Sequence, residues 1–356
     1  MMETDLYEID IVKAEKSKIQ DVDFENINFG RVFTDHMFTC DFVDGKWQQP
    51  KIMPYQVMTI DPSARVFHYG QAVFEGMKAY KDDNGEVFLF RPEDNHSRIN
   101  KSAARLAIPE FPKAYFMNGL TTLLNLDKDW VKPGVGNSLY IRPFVIATDS
   151  AIAAAPSSNY RFMIICSPAK AYYTGTVRVL IAEKYSRSAD GGVGFAKAAG
   201  NYAAQFYPTS LAQKSGFQQI IWTDANSHEY LEEAGTMNIF FRINNTLITA
   251  PTSDRILDGI TRKSVIQLAK DNNIDIEVRR ISVSEIKEAA HNGSLKEIFG
   301  TGTAAVISPV SAFEHAGETF EIPNLDDSFA SLFKKQLLEI QHNLLEDKHN
   351  WRYSVK

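Results

Sequence analysis

The sequence predicts an α+β protein built as two domains. Its 356 residues exceed what one hydrophobic core ordinarily supports. Apolar runs of strand length alternate with segments of helical periodicity. Between the halves, after Pro168, the stretch AYYTGTV reads as a connector. The expected organisation is a small N-terminal domain over 1–168, an interdomain loop over 169–178 and a large C-terminal domain over 179–356.

The first half mixes strands and helices. Residues 87–91 form a short apolar run, Pro92 suits the first position of a helix, and Ile99, Ala103 and Leu106 follow at helical spacing until Pro109 stops it. Arg98 therefore lies on a helix. Tyr115, Phe116, Gly119, Leu120, Leu123, Leu124 and Trp130 mark a second amphipathic helix, and 138–148 and 160–167 read as buried strands. In the second half, strands are expected at 176–182, 219–223 and 237–243, the last turning at Asn244 and Asn245 into 246–250. A helix over 261–271 opens after Gly259, and Phe329, Leu332, Phe333, Leu337, Ile340 and Leu344 form a core-packing C-terminal helix.

Bulk properties narrow the function. The chain is 44% hydrophobic and 23% charged, which fits a packed core and not a disordered chain. The net charge of −6 is spread among interspersed acids and bases, so no basic stripe exists for nucleic acid or an anionic membrane surface. Acidic residues interrupt every apolar stretch of MMETDLYEIDIVKAEKSKIQ, which argues against a signal or transit peptide. The most apolar stretch, about 139–155, is broken by Arg142, Pro143 and Asp149 and is not a membrane span. Cys40 and Cys166 have neither metal nor redox spacing, so a reduced, cytoplasmic setting is expected. The eight histidines are scattered without metal spacing, no metal is expected, and His68 reads as a packing residue. A nucleophile elbow and a P-loop are both missing, and GGVG lacks the setting of a dinucleotide fingerprint.

Four segments could carry chemistry. In GGVGFAKAAGNYAAQFYP, residues 191–208, Lys197 stands among glycines and alanines, small enough for a bulky ring to approach an amine that acts as nucleophile and then as base. Taken alone, that segment is better read as a surface lysine on a glycine-rich turn. In EEAGTMNIFF, residues 232–241, Glu233 precedes a Gly-Thr turn and could pair with a protonated ring nitrogen; a solvated turn is the plainer reading. ILDGITRKSV places a helix start at Ile260 and Thr261, where backbone N–H groups favour an anion. IFGTGTAAV, residues 298–306, could bring N–H groups and the Thr303 hydroxyl onto a phosphate, with Arg98 adding a full charge.

Taken in order, the blocks FHYGQAVFEGMKAY, FRPEDNHSRI, LYIRP, GGVGFAKAAGNY, EEAGTMNIF, ILDGITR and EIFGTGTA resemble the branched-chain amino-acid aminotransferases, fold-type IV pyridoxal-phosphate enzymes. The resemblance runs from about Asp23 to the C-terminal helix. It implies a smaller N-terminal domain, a larger C-terminal domain with a barrel-like sheet, and pyridoxal 5'-phosphate at the domain interface. By matching position, Lys197 becomes the Schiff-base lysine and proton shuttle, Tyr202 the partner of the phenolic oxygen, and Glu233 the partner of the ring nitrogen. Arg98, Ile260, Thr261 and Thr303 would hold the phosphate. Arg187, Thr236, Asn238, Leu257 and Gly259 would complete the cofactor shell.

On the substrate side the resemblance implies an apolar pocket walled by Phe74, Tyr140 and Tyr172, with Thr303 and Ala304 beside it and Tyr69 arriving from the second subunit of a homodimer. Arg142, with Tyr140, is assigned the second carboxylate of glutamate. The implied reaction is a ping-pong exchange of the amino group between L-leucine, L-isoleucine or L-valine and 2-oxoglutarate, giving branched-chain 2-oxo acids and L-glutamate. Rivals of the same fold are a D-amino-acid aminotransferase and an aminodeoxychorismate lyase; a catalytically silent binding relative is a third. Some animal members carry Cys-x-x-Cys where this chain has Ala305, Val306, Ile307 and Ser308, so no thiol switch is expected there.

Overall fold

The computed structural model describes residues 8–170 and 175–356. The chain divides into two compact units: Met1–Ala171 with Ala196–Ala199 and Leu338–Lys356, and Tyr172–Phe195 with Gly200–Leu337. Two short excursions, at Lys197 and at the C-terminus, belong by contact to the first unit, although the sequence placed them in the second domain. In both cases backbone pairing is the cause: Ala198 bridges to Val73, and Arg352–Ser354 forms an antiparallel pair with Val87–Phe90.

The first unit is organised on a ten-stranded sheet. At its centre Ser138–Ala147 and Tyr160–Ala169 pair antiparallel along their whole length. His36–Val43 and Met77–Lys81 flank this pair, so the strands are apolar on both sides and read as near-continuous hydrophobic runs. The helices Pro92–Arg105 and Lys113–Leu126 bury Ile99, Ala103, Phe116, Leu120, Leu123 and Leu124 in the core of this unit. Gly119 permits the close approach, since a Cβ there would collide with the ring of Phe38. Pro92 occupies the first turn, as its missing N–H suits. The second helix stops at Leu126, and Trp130 lies in a separate 3-10 turn, Lys128–Trp130, with its indole N–H donating to Asp35 at 2.8 Å.

In the second unit six strands close on themselves. Their order is Leu231–Ala234, Gln219–Thr223, Val177–Ile181, Val306–His315, Leu295–Gly302 and Met237–Ile243, which pairs back to Leu231–Ala234. Alternate residues of these strands, among them Val179, Ile181, Ile221, Ile239, Phe241 and Ile298, form one buried cluster, joined by the helix Val283–His291. On other faces lie Phe240 and Phe299, stacked at 5.3 Å. The helix Phe329–Gln341 begins where Glu297 accepts from the Ser328 hydroxyl at 2.6 Å and the Phe329 and Ala330 N–H groups at 2.9 and 3.2 Å. Arg242 holds Glu297 in place at 3.0 Å.

The helix Ala199–Lys214 escaped the sequence reading because Pro208 lies inside it and no apolar stripe runs along it. Among the described residues no helix is long and apolar enough to cross a membrane, and no group of His, Cys, Asp and Glu could hold a metal ion.

Candidate active site

In the first unit Lys197 is fixed through its backbone. Its carbonyl accepts the Phe74 N–H at 3.1 Å, and its own N–H donates to the Ser102 hydroxyl at 2.9 Å. The half-buried side chain puts Nζ 4.8 Å from the centroid of the Phe74 ring. The Arg142 guanidinium lies 4.8 Å from the same ring, and its Nη2 donates to the Tyr140 hydroxyl at 3.0 Å. Arg142 Nε is buried with no hydrogen-bond partner among the described residues. Phe29 meets Tyr140 edge-on at 4.9 Å, and Gly76 lets the tyrosine approach, since a Cβ there would collide with its hydroxyl. Phe74, Tyr140, Arg142 and Lys197 are thus brought together. Tyr69 is instead half exposed on the short helix Arg65–Tyr69, its hydroxyl donating to the Ile152 carbonyl. His68, expected to pack, is exposed on that helix with Nε2 3.0 Å from the Pro62 carbonyl.

Arg98 is buried on the helix Pro92–Arg105 and is held by a residue the sequence reading missed. Its Nε and Nη2 donate to the two oxygens of Glu75 at 2.7 and 2.9 Å. Glu75 is completely excluded from solvent and also accepts from Asn95 Nδ2 at 2.7 Å and the Gly76 N–H at 3.1 Å. Burial pushes its carboxyl up, but the Arg98 charge and hydrogen bonds, then Lys197 and Asn95, outweigh it and hold the group below the usual carboxylate range. A charged residue between Phe74 and Gly76 in an otherwise apolar run was the available signal.

In the second unit Glu233 lies on the strand Leu231–Ala234, directly opposite Asn238 across a two-residue turn. Gly235 supplies the left-handed conformation that turn needs, with φ of 52°, and Thr236 beside it is exposed. The buried Glu233 carboxylate lies 2.6 Å from Arg187 Nη1 and accepts from Asn238 Nδ2 at 3.2 Å. Asn238 is itself anchored on the Leu257 carbonyl at 2.8 Å. Arg187 donates further to the carbonyls of Arg255 and Gly194 at 2.8 and 3.0 Å. Arg187, placed in the cofactor shell by resemblance alone, is therefore a direct neighbour of Glu233.

Gly259 precedes the helix Ile260–Asp271, and no side chain caps this helix. The first-turn N–H groups, those of Ile260 and Thr261 included, thus form a ready anion seat. A Cβ at Gly259 would overlap Asn238 Oδ1, so the backbone passes close to the asparagine that supports Glu233. Thr303 and Ala304 occupy the turn between Leu295–Gly302 and Val306–His315, half buried. Val306 closes the turn with φ of 59°, a costly conformation for a β-branched residue and of the kind that gathers at binding turns. Tyr202 is half buried on the helix Ala199–Lys214, and Tyr172 lies outside the described residues.

These residues fit pyridoxal phosphate. The uncapped helix start suits a phosphate, and the buried Glu233 carboxylate beside Arg187 is the kind of group that pairs with a protonated ring nitrogen. Over residues 72–313 the chain matches the family described as amino-transferase class IV. It belongs to that family. A probable branched-chain-amino-acid aminotransferase of Staphylococcus epidermidis is 45% identical over 352 residues, covering 97% of this chain and 98% of the relative. Branched-chain-amino-acid transaminase 1 of Bacillus subtilis is 44% identical over 341 residues, covering 94% and 95%. This class IV aminotransferase is a pyridoxal-phosphate-dependent transaminase of the branched-chain group. Its fold is that of the branched-chain aminotransferase of Thermoproteus uzoniensis solved with norvaline, with a TM-score of 0.74 at 22% identity over 89% of this chain and 99% of that one. The Escherichia coli branched-chain aminotransferase gives 0.71 at 23% over the same shares.

Proposed function

We propose that this transaminase exchanges the amino group between L-leucine, L-isoleucine or L-valine and 2-oxoglutarate in two half-reactions. The observation that carries the reading is the wall made by Phe74, Tyr140, Phe29 and Arg142. Its rings offer apolar contact to a branched side chain, while Arg142, whose buried Nε has no partner among the described residues, offers charge to a second carboxylate. One wall so built serves two unlike substrates. The names of the Staphylococcus and Bacillus relatives point the same way.

When bound, pyridoxal phosphate supplies an electron sink for the charge left on the substrate α-carbon. Lys197 carries the cofactor and, once released, moves the α-proton with its amine. Glu233 keeps a proton on the ring nitrogen, with Arg187 and Asn238 fixing its carboxylate. Tyr202 meets the phenolic oxygen, and Arg98, Ile260, Thr261 and Thr303 hold the phosphate. Thr236, Leu257 and Gly259 shape the cofactor shell, while Thr303, Ala304 and Tyr172 border the substrate. Tyr69 is contributed to a second copy in a homodimer working in the cytoplasm.

The test is Lys197→Ala. The variant should bind cofactor without its visible lysine-linked absorbance and lose turnover of leucine with 2-oxoglutarate; retention of both would remove Lys197 from the mechanism.

A further inference from the structure

We propose that Glu75 is a positioning residue of this transaminase, fixing the plane of the Arg98 guanidinium and placing a negative charge beside Lys197. The inference rests on the roles just given to Arg98 and Lys197. Glu75 Oε1 receives Arg98 Nε, and Oε2 receives Arg98 Nη2, Asn95 Nδ2 and the Gly76 N–H. Two parallel N–H···O bonds leave a guanidinium no freedom to rotate within its plane, which a single contact would allow. Two of the three nitrogens are turned to Glu75, so the Nη1 edge is the one whose direction the carboxylate dictates.

The same carboxylate is built into the backbone that carries Lys197. Its neighbour Phe74 donates to the Lys197 carbonyl, and Ser102, one helical turn after Arg98, accepts the Lys197 N–H. The helix Pro92–Arg105 therefore carries Arg98 and, through Ser102, holds the backbone of Lys197. Among the described residues of this unit, Glu75 interacts electrostatically with both Lys197 and Arg98, and Arg142 lies against the same Phe74 ring as Lys197. Of these groups Glu75 is the negatively charged one. A carboxylate there attracts a positive charge placed beside it, and an amide of the same shape does not.

Glu75→Gln and Glu75→Asp separate these effects. Cofactor affinity is read by titrating stripped enzyme with pyridoxal phosphate, and the second readout is the pH midpoint of the bound cofactor's visible absorbance. In Glu75→Gln we expect affinity to fall roughly 10–100-fold, the loss of one charged hydrogen-bond pair, and the midpoint to move to lower pH. Glu75→Asp keeps the charge but shortens the reach, so affinity should fall with the midpoint near that of the wild type. Wild-type affinity together with a wild-type midpoint in a folded Glu75→Gln overturns the proposal. Should that variant not fold, Glu75→Asp decides alone, and unchanged affinity in it overturns the proposal. Both readouts are taken against a wild type that shows the visible absorbance, so the Lys197→Ala outcome tests the lysine's role separately.

Discussion

Replacing Gly259 by alanine adds one methyl group where the backbone passes Asn238. The new Cβ would overlap Asn238 Oδ1 and lie 3.0 Å from its Cγ and 3.2 Å from the Arg262 Cβ. Either the helix start shifts, an overpacking cost of about 1–3 kcal/mol, or Asn238 swings away. Swinging away breaks its bonds to Glu233 and to the Leu257 carbonyl, and the first is a hydrogen bond to a charged group worth roughly 1.5–3 kcal/mol. We therefore expect Gly259→Ala to lower stability by about 1–3 kcal/mol and to weaken pyridoxal phosphate roughly 10–100-fold. Denaturant unfolding of the cofactor-free protein and cofactor titration measure the two effects. The decisive comparison is the double variant with Asn238→Ala. Once the asparagine is gone only the 3.2 Å contact with the Arg262 Cβ is left, so the added methyl should cost clearly less in that background. Equal costs in both backgrounds would refute the reasoning.

Arg142→Ala should lower kcat/KM for glutamate roughly 10–100-fold, the worth of a charged hydrogen bond, while changing that for leucine far less; equal losses would falsify the assignment. Lys78 gives a pH prediction. Burial on the strand Met77–Lys81 pushes its amine from 10.5 down to about 8. Between these values the unfolded chain binds more protons than the folded one, so stability rises with pH across that window and falls back as pH drops through 8. At about 1.4 kcal/mol per unit the span is about 3 kcal/mol. Lys78→Met should be the more stable protein at pH 7, with its advantage vanishing by pH 10; unfolding midpoints whose difference does not change with pH would contradict this.

Strands such as Gln219–Thr223 and Met237–Ile243 were legible to the residue because apolar runs end at turn-forming residues. Pro92 marked its helix for the same kind of local reason. Leu295–Gly302 and Val306–His315 were not assigned, because their glycines and threonines drew attention to the turn and hid the strands on either side. The closure of six strands depends on pairings between distant segments, which periodicity does not encode. Among site residues, Lys197 and Glu233 are singled out by their neighbours, but only the family resemblance favours the functional reading over the plainer one. Glu75 stood out as a charge in an apolar run, but its role was not legible because it lies in a partner 23 residues away on the helix Pro92–Arg105. Val283–His291, by contrast, was missed although readable: Ser282 accepts the Glu285 N–H at 3.0 Å, and a serine followed three residues later by glutamate is a helix-start signature.

The return of the last residues to the first unit bears on the order in which this protein can be made. Arg352–Ser354 completes the sheet beside Val87–Phe90, and the Arg91 N–H donates to the Trp351 carbonyl at 2.7 Å. A ribosome delivers chain from the N-terminus, at about 5–20 residues per second. Throughout the synthesis of the entire second unit the strand Val87–Phe90 therefore lacks its neighbour, with one row of backbone donors and acceptors left uncovered. The sheet becomes whole only after the final segment emerges, so a nascent chain stalled before Trp351 carries an open, adhesive flank that the finished protein has sealed.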